Sequence, residues 1–169
     1  MVRTAGERKA GVLWLCAALV SALLVAGCGS QGPEEFGENR YHCEHCRMGI
    51  VDMRFAAQSL TVRGKRHHFD SVECLESWRK KSSEEIQESY VSDFDRPGTW
   101  LKSSRAHYVV SQKRPSPMGA NISAYSSRSQ ARKALDTLQE GRILSFAELS
   151  VYLDKGLRAK PSEGGHGFH

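Results

Sequence analysis

The sequence predicts an α+β protein, two successive ββαβ-like units forming one small domain behind an N-terminal leader. Three observations lead there. A basic start and a charge-free run set the first 27 residues apart from the rest. Two amphipathic stretches, each opened by a capping box, mark two helices. Each of these is preceded by two short strand-like segments and followed by a third, so that strand, strand, helix, strand occurs twice. The halves match in pattern, not in residues.

The leader carries Arg3, Arg8 and Lys9, then no charge from Ala10 to Gly27. A membrane-spanning helix needs about 20 apolar residues, and this run ends in the small, poorly helical Val25-Ala26-Gly27-Cys28. Those four residues resemble the lipobox of bacterial lipoproteins. The resemblance implies a lipoprotein signal peptide over residues 1–27, cleavage before Cys28 and lipid on its thiol. An ordinary cleaved leader or an uncleaved anchor helix are the alternatives, and either would export the rest of the chain. Two or three acyl chains would hold the domain on the membrane, at the extracytoplasmic face in the cell envelope. Gly29 stands where an aspartate is associated with retention at the inner membrane. Residues 28–40, polar and rich in turn formers, read as a flexible linker.

The domain proper is expected over residues 41–155. Residues 55–62 (FAAQSLTV) read as a strand, Arg63-Gly64-Lys65 as a turn and residues 66–69 as the return strand. Asp70 with Glu73 three residues on has capping-box spacing, and a helix to about Lys81 comes next with Val72, Leu75 and Trp78 inward. Residues 89–94 make the next strand, closed by an Arg96-Pro97-Gly98 turn. In the second half, residues 106–111 and 121–125 are strands. Ser127 with Gln130 caps a helix over about 128–139, on which Ala131, Ala134, Leu135 and Leu138 form one stripe. Gly141 is its stop, residues 142–146 the closing strand, and Ser145 with Glu148 opens a short last helix to about Asp154. Residues 156–169, rich in glycine and charge, are expected to be a disordered tail.

Composition narrows the function classes. Without its leader the 169-residue chain keeps 142 residues, enough for one modest core. Arg3, Arg8, Lys9 and Glu7 leave with the leader, so 21 basic and 18 acidic side chains remain. They are scattered along the chain, which speaks against nucleic-acid binding. Of five cysteines, Cys16 goes with the leader and Cys28 to lipid. Cys43, Cys46 and Cys74 remain, an odd number that suggests one disulfide with a leftover thiol, or thiols kept for metal or redox chemistry, rather than a disulfide scaffold.

The most specific segment is Cys43-Glu44-His45-Cys46-Arg47-Met48, a C-x-x-C-x-M pattern with Met53 shortly after. Thiolate and thioether sulfur favour Cu(I), a polarisable d10 ion, whereas Zn2+ seldom takes methionine. Thiol–disulfide exchange is a weaker reading, because a redox C-x-x-C sits at a helix start and no helical pattern comes after Cys46. Zinc stays open, with Cys43, Cys46, Cys74 and one of His67 or His68 as four ligands. Cys74 also reads as a small buried residue, the fate of many free cysteines, and that reading ranks above ligation. Met118, in Ser116-Pro117-Met118-Gly119, either plugs the loop or closes a site from the opposite half. His166 and His169 read as solvated tail residues.

Residues 42–78 together with SPMGANISAYSSRSQARKAL resemble the NosL family, accessory lipoproteins of nitrous oxide reductase. The matching pieces are the lipobox, C-x-x-C-x-M, Ala56-Ala57-Gln58, Phe69-Asp70-Ser71 with Cys74, and Pro117-Met118-Gly119. The resemblance implies a membrane-anchored Cu(I)-binding metallochaperone, not an enzyme, that delivers copper to nitrous oxide reductase or its copper-assembly machinery. It also implies two ββαβ units like the N-terminal part of organomercurial lyase. Cys43, Cys46, Met48 and Met118 are the implied ligands, in a subset left open. Thiols must lose protons to bind, so affinity is expected to rise with pH. An envelope thiol–disulfide oxidoreductase and a zinc-stabilised interaction module are the alternatives.

Overall fold

The structure, a computed structural model, describes residues 32–159. Every described strand and helix belongs to the compact unit that begins at Pro33. The leader, Cys28 and residues 160–169, with His166 and His169, lie outside the described residues.

In order, the elements are β1 (Ala57–Thr61), β2 (Arg66–Phe69), α1 (Val72–Lys81), β3 (Ile86–Asp93), β4 (Arg96–Lys102), a 3-10 turn (Ser103–Arg105), β5 (His107–Val110), β6 (Ile122–Tyr125), α2 (Arg128–Leu138), β7 (Arg142–Leu144) and α3 (Phe146–Ala159). Two antiparallel sheets result, ordered β2-β1-β3-β4 and β6-β5-β7. In each, a hairpin leads into a helix, and the next strand returns to the free side of the hairpin's first strand. The twice-repeated ββαβ order is therefore present, with β4 and α3 added.

Strand periodicity decides what each face does. Ala57, Phe69 and Val91 are partners across the first sheet, as are Tyr108, Ala124 and Leu144 across the second. All join one core with Leu75 of α1 and Leu149 and Leu153 of α3. The opposite face of the second sheet, through Val109 and Tyr125, packs on Ala131 and Ala134 of α2. Backbone also ties the sheets, since Phe94 N–H donates to the Ala124 carbonyl at 2.9 Å.

Five expectations are corrected. Ser71, not Asp70, caps α1: its backbone is extended and its Oγ accepts from Cys74 N–H at 3.4 Å. Arg96-Pro97-Gly98 is not a terminal turn but the start of β4, whose edge position tolerates a proline. The reversal comes earlier, where the Asp93 carboxylate accepts from Asp95 N–H and pairs with Arg96. Helix α2 ends on Gln139, left-handed at φ 55, before Gly141 is reached. Helix α3 runs to Ala159 rather than Asp154, so the first four residues of the expected tail are helical, Leu157 to Ala159 being good helix formers.

The fifth correction concerns the linker. Residues 33–40 lie on the outer face of the first sheet. Glu34 N–H donates to Gln58 Oε1 at 2.8 Å and its carbonyl accepts from Gln58 Nε2 at 2.9 Å. Phe36 stacks on Trp100 at 5.1 Å, and Tyr41 stacks on His68 at 3.9 Å. Polarity suggested mobility, but apolar rings spaced along the segment find an aromatic sheet face that a single chain cannot announce in sequence. The strap leads straight into the cysteine turn.

Candidate metal centre

The segment from Cys43 to Met48 folds back tightly. Cys43 N–H donates to the Met48 carbonyl at 2.7 Å, Arg47 N–H donates to the Cys43 carbonyl at 2.9 Å, and His42 pairs with Gly49 in an antiparallel bridge. Arg47 closes the reversal at φ 67, in the left-handed region. Glu44 N–H bonds the His68 carbonyl at 2.8 Å, which docks the turn against β2. Phe69 ends β2, so Asp70 is the next residue and Cys74 falls in the first turn of α1. A strand end and a helix start thus converge on the turn.

There, the Sγ atoms of Cys43, Cys46 and Cys74 and a carboxylate oxygen of Asp70 all lie within 4.8 Å of one another. All three cysteines are free thiols, with Cys43 and Cys74 buried and Cys46 half-buried. Cys46 Sγ–H donates to Asp70 Oδ2 at 3.4 Å. A tetrahedral ion with metal–sulfur bonds of about 2.3 Å needs sulfurs about 3.8 Å apart. The four donors, none more than 4.8 Å from another, are gathered at one point before any ion arrives.

The three thiols differ electrostatically. The Cys74 thiol and the backbone N–H groups of Cys46 and Asp70 donate to Cys43 sulfur, outweigh its burial and hold its pKa down at about 6. Burial raises the Cys46 thiol to about 11, assisted by the negative neighbours Cys43 and Asp70. Cys74 is raised as well, first because its proton is engaged by Cys43 and then by burial. One sulfur is thus poised as a thiolate while two are held as thiols, an arrangement suited to soft-metal capture with proton release.

Of the residues expected from sequence, Cys43 and Cys46 are brought together. Met48 and Met118 are at the surface, 64% and 38% exposed. Met48, Asp70, Ser116 and Pro117 all line one groove, and Met118 directly follows Pro117. Cys74 is both buried and part of the cluster, so ranking burial above ligation set apart two roles that coincide. Neither histidine of the zinc alternative joins it: His67 packs on Trp78 and contacts Glu84 at 3.2 Å, and His68 lies under Tyr41. Met53 is buried in the core. Asp70 is the member that sequence reading missed as a donor, because its helix-capping spacing with Glu73 offered a sufficient explanation.

Fold and site together define a small α+β domain with a candidate soft-metal centre at the junction of β2 and α1. The chain belongs to the NosL family, whose model matches residues 37–153. Among solved structures it is similar to the copper chaperone NosL from Shewanella denitrificans, with 20% identity and a TM-score of 0.57 over 69% of this chain and 96% of that one. That likeness concerns the fold. The solution structure of the apo-NosL protein from Achromobacter cycloclastes is 29% identical, with a TM-score of 0.40 over 54% of this chain and 82% of that one. No curated protein matches the sequence.

Proposed function

We propose that this protein is a copper carrier that takes up Cu(I) at the Cys43–Cys46–Cys74 cluster and hands it to nitrous oxide reductase or its copper-assembly machinery. In this reading it is a carrier, not a catalyst, and is held on the extracytoplasmic face of a membrane by lipid on Cys28. The observation that carries it is the convergence of three thiols on one carboxylate, with two exposed methionines along the adjoining surface. Thiolates supply the affinity that a monovalent d10 ion requires. Thioethers at the surface supply weaker sulfur, through which an acceptor's ligands enter before the donor's leave.

Two rivals are less well supported. A disulfide oxidoreductase places its reactive cysteine at a helix N-terminus, whereas Cys43 and Cys46 lie in a turn docked on a strand. A zinc-stabilised module gains one observation, the oxygen donor of Asp70, since zinc accepts carboxylate more readily than Cu(I) does.

The test is an anaerobic Cu(I) titration against a competing chelator, comparing the parent with Cys43→Ser, Cys46→Ser, Cys74→Ser, Met48→Leu and Met118→Leu. Cysteine variants should lose most of the affinity and methionine variants a smaller share. Undiminished binding in the Cys43→Ser/Cys46→Ser double variant would refute the reading. Insulin reduction would favour the oxidoreductase, and unfolding on zinc removal the module.

A further inference from the structure

The turn that carries Met118 is held by a residue from the other half of the domain. Glu73, buried in the first turn of α1, immediately precedes Cys74. Its Oε1 accepts from the Ser116 hydroxyl and from Ala120 N–H, the latter at 3.4 Å. Met118 lies midway between these two donors in sequence.

Helix and turn each have local closures that do not involve Glu73, which serves as acceptor for the Ser116 hydroxyl and Ala120 N–H. Helix α1 already has Ser71 as its cap. The turn already closes on itself: Asn121 N–H donates to Ser116 Oγ at 2.9 Å, Ser116 N–H to Asn121 Oδ1 at 3.2 Å, and Gly119 N–H to the Ser116 carbonyl at 3.0 Å. Burying a carboxylate is costly unless its bonds repay it. What these two bonds add is placement, because they fix a preformed turn of the second half relative to the helix that bears Cys74. The same turn lines the groove shared by Met48 and Asp70.

The geometry points to Glu73 as a positioning residue of the centre: it locks the Pro117-Met118-Gly119 turn beside α1 and so presents the Met118 thioether to an ion held by the thiols. This rests on the copper-carrier reading. Groups that orient a metal's ligands without touching the metal commonly account for about 10-fold or more in affinity. Glu73 does this across the junction of the two ββαβ units.

The experiment uses the lipid-anchored protein in detergent, labelled with 13C in the methionine methyl groups; of the four methionines in the sequence, Met48, Met53 and Met118 follow Cys28. Methyl resonances are assigned by Met→Leu variants and monitored as Cu(I) is added without oxygen. In the parent, the Met118 methyl should move on binding. In Glu73→Ala it should stay at its copper-free position while Cu(I) still binds through the thiols, about 10-fold more weakly. Glu73→Gln keeps an acceptor for both donors and should restore the movement; Ser116→Ala should lose part of it, a check that holds if Glu73→Ala fails to fold. A Met118 methyl that moves normally in Glu73→Ala overturns the inference, as does one that stays still in a parent that binds Cu(I). A parent that takes up no Cu(I) instead overturns the carrier reading, and the inference with it.

Discussion

The Sγ of Cys46 lies 3.4 Å from Oδ2 of Asp70, so one thiol proton bridges the cysteine turn and the residue that leads into α1. Burial, together with negative neighbours, keeps this thiol protonated up to about 11, whereas its turn partner Cys43 is a thiolate above about 6. A cation reverses the balance. Once positive charge occupies the cluster, the carboxylate that disfavoured a second thiolate becomes an attractive neighbour of the ion, and the bridging proton leaves.

Replacing Asp70 with Asn removes that charge while preserving shape. The Cys46 pKa should fall, and its alkylation by iodoacetamide at pH 8 should quicken a few-fold, since rate tracks the thiolate fraction. Mass spectrometry of the modified peptide reads this out. An unchanged or slower rate would mean that the carboxylate does not govern this sulfur.

Metal uptake should release protons in a number that reveals the ligand set. Near neutral pH Cys43 has already lost its proton, so capture by Cys43 and Cys46 releases about one, and participation of Cys74 raises this to about two. Affinity should therefore rise with pH between about 6 and 11, and more steeply below about 6, where Cys43 must deprotonate as well. Calorimetry in buffers of different ionisation enthalpy counts the protons. A pH-independent affinity would exclude thiolate ligation.

Arg47 occupies the left-handed region at φ 67 within the cysteine turn. A residue with a Cβ is disfavoured there by about 1 kcal/mol or more. Its ion pair with Glu44, at 3.4 Å, is largely solvated and offsets little. Arg47→Gly should stabilise the metal-free domain by about 1 kcal/mol, measured by urea unfolding under reducing conditions. Destabilisation would show that the arginine side chain matters more than the backbone.

Gly141 predicts the opposite sign. A Cβ there would lie 2.1 Å from the Val110 carbonyl oxygen, on a backbone with φ +107. Gly141→Ala should cost about 3 kcal/mol by prising β7 from β5. Serine is expected to behave alike, and a neutral alanine variant would contradict the packing described for this edge.

Much of the fold was legible because its signals are local. The capping pairs Ser127/Gln130 and Ser145/Glu148 form as their spacing implies, and residues 66–69 are a strand with the predicted ends. What was hidden depends on distant partners. Ser71 and Asp70 have equal claims to cap α1 until the strand end beside them is placed; the choice of Ser71 is what frees Asp70 for the cluster. Glu73 looked like half of a capping box, yet it reaches residues 43 and 47 positions away in sequence. The site was half visible for the same reason: Cys43 and Cys46 announce each other by spacing, while Cys74 and Asp70 join only through the fold.

The two halves share one strand order but not one hairpin. Between β1 and β2 the chain reverses within Val62 to Lys65, whereas between β5 and β6 it runs from Ser111 to Asn121 through two turns and carries Met118 in the second. Surface connections of this kind change length and composition without disturbing the strands beneath. The two halves therefore differ in what they can vary: the short reversal leaves the half with the three thiols little slack, while the long connection offers room for change on either side of the turn that Glu73 fastens.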